Sequence, residues 1–320
     1  MVASIEMTAC DPPLALPSPV PITLFGATST SGQALIELAR GRSLVVAGRR
    51  PALPPAGGGD PPPFLPCDLE DACGESRAPK GVLVSFAPIW TFAPWLARFA
   101  GDNPAGFAAL QGVIACSSSS VITKRFAANR FDRDLVQRLG QAEDQLTLTC
   151  TSHARPLHIL APTLIYGQAG PLGDRNLSKL RQLLRRLPLL PLPGQGGLRQ
   201  PIHCRQLAAV ALHLADRLPL AGGDPSHQVH LPLGGDETLA YATMLRRLQD
   251  ASAPGDAARR CRLLALPPRL FQSLAAPLLL LSPKNFEALL RMSADLAGFT
   301  PAHRILGGPP EPFPVLPLAR

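Results

Sequence analysis

The chain has 320 residues, enough to bury a large core and at the edge between one domain and two. Its formal charge of +8 comes from 31 Lys and Arg against 23 Asp and Glu, and its hydrophobic content is 46%. The basic residues are scattered along helical stretches, without a zinc-finger, RNA-binding or helix-turn-helix signature, which argues against nucleic acid.

An anionic small molecule, or contact with an acidic membrane surface, accounts for the excess charge as well. The seven cysteines form no C-x-x-C pair and no His/Cys cluster of metal spacing. An odd, dispersed set points to buried thiols in a reducing compartment and to no metal site. Glu6, Asp11 and several prolines interrupt the N-terminus, so no signal peptide is expected. Leu274–Leu281 is far too short to span a membrane, and the expected location is the cytoplasm.

In chain order, residues 1–20 read as a disordered lead. Ile22–Phe25 reads as a strand, Ser31–Ala39 as a helix and Leu44–Ala47 as a second strand. Pro51–Pro63 is too broken for a helix, and Phe64–Cys67 is a short extended piece. Gly81–Ala87 and Gly112–Cys116 are apolar without alternation, as strands covered on both faces are. Helical pieces fall at Phe92–Phe99, Ala105–Leu110 and Asp134–Leu146, with a further strand over Leu157–Tyr166. After Gly167 the expectation is a basic helix at Asn176–Leu187, a turn over Pro188–Gly197, and helices at Leu207–Arg217, Leu239–Gln249, Pro268–Leu279 and Asn285–Leu296. The pattern predicts an α/β fold, a Rossmann-type doubly wound parallel sheet with a smaller, mostly helical C-terminal substrate lobe. The expected division is 21–167 for the dinucleotide domain and 168–320 for the lid lobe.

Gly26-Ala27-Thr28-Ser29-Thr30-Ser31-Gly32 follows a strand and opens a helix, the context that gives a glycine fingerprint its meaning. Gly26 permits the tight turn, Gly32 permits close helix–strand packing, and the helix N-terminus attracts a pyrophosphate. Ser29 stands where a second glycine would let the backbone approach the phosphates; it either loosens that contact or bonds a phosphate itself. Arg49 and Arg50 follow the second strand where an NAD site would offer an acid, so NADP(H) is expected over NAD(H). Asp68 is placed to accept from an adenine amino group, or is an exposed turn residue.

The GATSTSG loop, Asp68-Leu69, the strand running into Ser117–Ser120, and Ala161-Pro162-Thr163-Leu164-Ile165-Tyr166-Gly167 together resemble the extended short-chain dehydrogenase/reductase superfamily. The closer likeness is to its NAD-dependent epimerase/dehydratase, or nucleotide-sugar epimerase-like, branch. Asp174–Ser178 and the run from Leu192 through His203 strengthen it, and it covers roughly 22–300. The resemblance implies a cofactor set of Gly26, Ala27, Thr28, Ser29, Ser31, Gly32, Arg49, Arg50, Asp68, Leu69, Ser85, Ala87, Ser118 and Thr163.

It also implies hydride chemistry with a serine or threonine, a tyrosine, and a lysine four residues on, which share one helical face. The hydroxyl position falls on Ser118, with Ser117 and Ser119 close beside it. Anchoring on Glu143 puts Leu135 at the tyrosine position and Leu139 at the lysine position; the only tyrosines, Tyr166 and Tyr241, match neither. Lys124 is a candidate substitute acid or a phosphate contact, with Arg125 beside it, and His153 and His158 read as structural or catalytic. The same resemblance implies substrate contacts from Asn176, Arg199 and His203, the guanidinium clamping a diphosphate. Asn176 reads equally as a helix cap, and Thr238 as another.

The leading expectation is an NADP(H)-binding oxidoreductase- or epimerase/dehydratase-like protein acting on a nucleotide sugar or similar small molecule. The alternatives are a non-catalytic dinucleotide-binding sensor or assembly partner, and a membrane-associated accessory protein using Leu264–Leu281 and the basic helix near Arg181–Arg186.

Overall fold

The computed structural model describes residues 19–54, 60–71, 78–127, 129–194, 196–218, 228–277, 289 and 291–316. Nearly all of the 1–20 lead, Cys10, Cys73 and much of the helix expected at Asn285–Leu296 lie outside these residues.

The first half lays down β1 (Ile22–Phe25), α1 (Thr30–Leu38), β2 (Leu44–Gly48), β3 (Phe64–Pro66) and β4 (Val82–Ser85). Then come α2 (Ile89–Asp102), α3 (Pro104–Ala108), β5 (Gly112–Cys116), α4 (Ser120–Thr123), α5 (Arg130–Ser152) and β6 (Leu157–Pro162). The second half contributes α6 (Asn176–Arg186), α7 (Cys204–Arg217), β7 (Gln228–Gly234), α8 (Tyr241–Asp250), α9 (Pro268–Ala275), β8 (Thr300–Pro301) and α10 (Ala302–Leu306).

The eight strands form one parallel sheet in the order β8-β7-β6-β5-β4-β1-β2-β3. Strand order reverses between β1 and β4, which opens a crevice beyond their carboxyl ends. Apolar runs without alternation are explained by two covering layers. In β4, Val82 and Val84 enter the core shared with α1 and α7, while Leu83 enters the core under α2 and α5. Under α2 an aromatic column fixes the packing, with Trp95 4.7 Å from Phe25 and stacked at 5.4 Å on Phe99. Ala208 and Ala211 let α7 approach α1 closely, so a second-half helix completes one layer of the sheet. A third core, with Leu177, Leu184, Leu192, Met244 and Leu245, holds the remaining helices together.

Several sequence expectations shift. Pro188–Gly197 is not simply a turn, because Leu189–Pro193 is a strand parallel to Arg262–Leu266. A two-stranded sheet has an open side where Pro191 and Pro193 need donate nothing. β7 was not foreseen, since Pro232 argues against a strand; its β8 neighbour pairs only at Leu233 and Gly234, leaving the outer side open at the proline. Leu157–Tyr166 divides, because Ile165–Tyr166 leaves the sheet to pair with Ile202–His203. Thr238 caps nothing: Leu239–Ala240 is extended and α8 starts at Tyr241 without a side-chain cap.

Candidate functional site

The crevice between β1 and β4 is built from backbone. Gly26 has φ of +78°, and a Cβ there would lie 2.4 Å from the Ala87 nitrogen and the Phe86 carbonyl carbon. A Cβ on Gly32 would lie 2.3 Å from the Gly26 carbonyl oxygen. Both positions therefore exclude any side chain, and the loop is pressed against the residues that follow β4. Ala27 and Ser31 are buried beneath the loop, and Thr28 is exposed on it.

Ser29 is the N-cap of α1. Its hydroxyl accepts from the Gly32 N–H at 3.0 Å and donates to the Gly26 carbonyl at 2.8 Å. The hydroxyl is thus held inside the loop, and a phosphate bond would compete with the cap. The Ser85 Oγ at the end of β4 and the Gln33 Oε1 in α1 are buried with no hydrogen-bond partner among the described residues. The Gln33 amide donates to the carbonyls of Leu53 and Pro54 and so pins the chain after β2. A cradle closed to side chains, a helix N-terminus and orphaned polar atoms fit a dinucleotide.

Arg49 and Arg50 are exposed after β2. Asp68 is half-buried and accepts from the Glu70 N–H at 3.1 Å, while Leu69 packs against the α2–α5 core. The Thr163 hydroxyl donates to the Gln200 carbonyl and ties the end of β6 to the second half.

Beyond β5 the serine cluster divides by role. The Ser118 hydroxyl bonds within its own turn, to the Ser120 hydroxyl at 3.1 Å and from the Ser120 N–H at 3.2 Å. Ser117 faces α5 and donates to the Glu143 carboxylate. The other oxygen of Glu143 lies 3.3 Å from His230 Nε2, on β7 at the solvent edge of the sheet. The Glu143 carboxylate raises the His230 pKa by hydrogen bond and charge, against a smaller opposing effect of burial. The result is an unbroken polar chain from the carboxyl end of β5 to the surface. His230 lies in no motif that marks it as functional, and Glu143 stands out in sequence only by its spacing from Leu135 and Leu139.

Leu135 and Leu139 on α5 pack into the core with Val121. Lys124 pairs with buried Asp132 at 2.8 Å, as does Arg291, and the Asn129 amide donates to the same carboxylate at 2.7 Å. Burial pushes the Asp132 pKa up, but the bonds from Lys124 and Asn129 and the nearby Lys124 and Arg291 charges together hold it at about 2. Lys124 is therefore engaged in an ion pair rather than standing free as an acid. His153 closes α5 with Nδ1 2.9 Å from the Thr149 carbonyl, and His158 is buried within β6.

The second-half residues serve as struts. Arg199 is 8% exposed and donates to the carbonyls of Leu198 at 2.7 Å, Ala294 at 2.6 Å and Arg291. Its guanidinium lies 5.1 Å from the Tyr241 ring centroid. His203 is fully buried and caps α7, Nδ1 accepting from the Arg205 N–H while Gln206 reaches back to the His203 N–H. Asn176 is exposed and donates weakly to Ile165. The carboxylate that caps α6 is Asp174, accepting from Leu177 at 2.7 Å and from Gly167 at 3.0 Å. Burial pushes the thiols of Cys116, Cys150 and Cys204 up to about 12, and these three and Cys261 are free cysteines. Among the described residues there is no metal-binding group of three or more His, Cys, Asp or Glu, and no helix long and apolar enough to cross a membrane.

Fold and crevice together define a Rossmann-type architecture matching that of the NAD-dependent epimerases and dehydratases, the extended short-chain dehydrogenase/reductases, at low sequence identity. The UDP-N-acetylglucosamine 4-epimerase of Bacillus cereus is similar with a TM-score of 0.55 at 14% identity, over 85% of this chain and 94% of that one. MoeE5, solved with UDP-glucose and NAD, has a TM-score of 0.54 at 15% identity, over 91% of this chain and 94% of its own. TunA, an NAD-dependent NDP-hexosamine 5,6-dehydratase, gives 0.52 at 16% identity, over 78% and 85%. No family model and no curated protein matches the sequence.

The dinucleotide in MoeE5 is NAD, and TunA is NAD-dependent, which corrects the expectation of NADP(H). That expectation rested on the charge of Arg49 and Arg50 alone, and both side chains are exposed rather than built into a phosphate pocket.

Proposed function

We propose that this protein binds NAD in the Gly26 crevice and acts as an oxidoreductase- or epimerase/dehydratase-like enzyme on a nucleotide sugar or similar small molecule. The observation that carries the reading is the Gly26 cradle, closed to any Cβ by Phe86 and Ala87 at the switch point of the sheet. Gly26, Ser31, Gly32 and the α1 N-terminus would hold the diphosphate, with Ser85 and Ala87 along the floor. A bound nicotinamide supplies a hydride acceptor and donor.

The chain itself must handle the proton. β4 lies between β1 and β5, so the β5 end stands two strand spacings, about 10 Å, from the glycine loop. Ser117 is the hydroxyl there whose proton already points into a carboxylate. A substrate hydroxyl losing its proton would give it to Ser117 Oγ as the Ser117 proton passes to Glu143, and His230 would exchange it with solvent. This arrangement needs neither tyrosine nor lysine. Ser118 and Lys124 would shape the entrance to the site, by closing α4 and by tethering α5.

The test is incubation of the full chain with NAD and either UDP-glucose or UDP-N-acetylglucosamine, resolving sugar products by chromatography and NADH by absorbance. NAD-dependent conversion is expected, reduced at least a hundredfold by Glu143→Gln, on the scale of a lost acid–base group. Leu135 and Leu139, packed into the core at the positions the sequence resemblance assigns to an acid–base pair, favour a second reading, a non-catalytic NAD-binding sensor or assembly protein. Saturable NAD binding with every sugar returned unchanged would support that second reading.

A further inference from the structure

Two surface segments carry large apolar side chains alternating with arginines. In the α4–α5 hairpin, Phe126 is 86% and Phe131 65% exposed, and Ile122 is exposed beside them. Arg125, Arg130 and Arg133 are exposed in the same stretch. On the second-half sheet and α9, Leu264, Leu270 and Leu274 are exposed, with Arg262 and Arg269. Of the described side chains in α9, Phe271 alone is buried, so the helix turns almost its whole surface to solvent.

The two segments are joined. Arg291 pairs with Asp132 at the hairpin, and the Arg291–Ser293 turn lies against Leu189–Pro193, the partner strand of Arg262–Leu266. Neither segment bears an exposed acid: 262–274 contains none, and Asp132 is buried under Lys124 and Arg291. The exposed carboxylates nearest to them are Asp134, 3.8 Å from Arg130, and Asp295, just past the joining turn, which accepts from the Leu198 N–H at 2.8 Å.

We propose that this face docks on an anionic lipid bilayer. Guanidinium groups interleaved with Phe and Leu match the two layers such a surface offers, phosphates outside and acyl chains just beneath. Nucleic acid would satisfy the arginines but has no apolar interior for Ile122, Leu264, Leu270 and Leu274. An acidic protein would satisfy them too, and the test separates it from lipid. Contact is one-sided, since no helix among the described residues is long and apolar enough to cross.

The experiment is co-sedimentation of the full chain with vesicles of phosphatidylcholine alone or with about one-third phosphatidylserine. Partition onto the anionic vesicles should be at least about tenfold stronger. Phe126→Ser combined with Phe131→Ser and Leu274→Ser should lower it about tenfold at low salt, because insertion is lost while charge is kept. Arg125→Gln with Arg269→Gln should lower it less, and only on anionic vesicles. If the triple variant unfolds by circular dichroism, Phe126→Ser alone makes the same test at the most exposed site. No association with anionic vesicles overturns the proposal, as does undiminished association of a folded serine variant. Displacement by soluble polyglutamate as readily as by anionic vesicles also overturns it, and points to an acidic protein instead.

Discussion

The glycine loop and the polar residues of the second half make an instructive pair. Both read as binding elements in sequence, yet they are built in opposite ways. At Gly26 the backbone itself forms the wall, packed directly on Phe86 and Ala87, and no side chain is tolerated. At Arg199 and His203 the side chains are turned inward and their bonds go to the chain's own carbonyls and amides. A glycine motif is defined by what cannot be there, and sequence shows that directly. A lone arginine or histidine is defined by what it reaches, and sequence leaves that open.

The largest effect is expected at the loop. Gly26→Val should abolish NAD binding in a fluorescence titration and lower the melting temperature, since left-handed strain alone contributes roughly 1–3 kcal/mol before the clash with Phe86. Retained affinity would remove the cradle from the account.

Arg199→Met should have the opposite profile. Loss of its carbonyl bonds and stranding of the acceptors should reduce unfolding free energy by about 3 kcal/mol in urea, with NAD affinity unchanged. A stable variant with weakened ligand binding would return Arg199 to the substrate.

Asp132→Asn comes next, at about 2 kcal/mol. The sign follows from a folded pKa held at about 2, below the unfolded value: the stabilisation is present above the unfolded pKa and is lost as pH falls toward about 2. Acid unfolding monitored by circular dichroism should show the variant less sensitive to pH through that window.

The smallest effect lies at His230. Its raised pKa should drop in Glu143→Gln, read from its ring-proton NMR shift against pH. Any stability from the charged pair is present below the unfolded histidine pKa and disappears as pH rises through the raised folded one. An unchanged titration would show that the Glu143–His230 contact is not maintained in solution.

The sheet was legible because its strands are short apolar runs bounded by glycine and proline, and β1, β2, β4 and β5 lie where those runs stand. Elements whose signal depends on a distant partner were not. Leu189–Pro193 reads as a turn until Arg262–Leu266 lies beside it, and β7 carries a proline that only an open edge excuses. In the site, the same limit hid the Ser117–Glu143–His230 chain, whose members are far apart in sequence and meet only through α5 and β7. Asn176 looked like a cap by residue type, but Asp174 two positions earlier has the reach.

The measurement that bears most directly on the account is calorimetric titration of NAD into the wild-type chain and Thr28→Glu. Thr28 is exposed on the glycine loop, so the substitution leaves packing alone while setting a carboxylate where the diphosphate would sit. Saturable one-site binding by the wild type, weakened at least about tenfold by Thr28→Glu at unchanged melting temperature, is the predicted result. No saturable binding by the wild type, or equal binding by both, would contradict a dinucleotide site at Gly26.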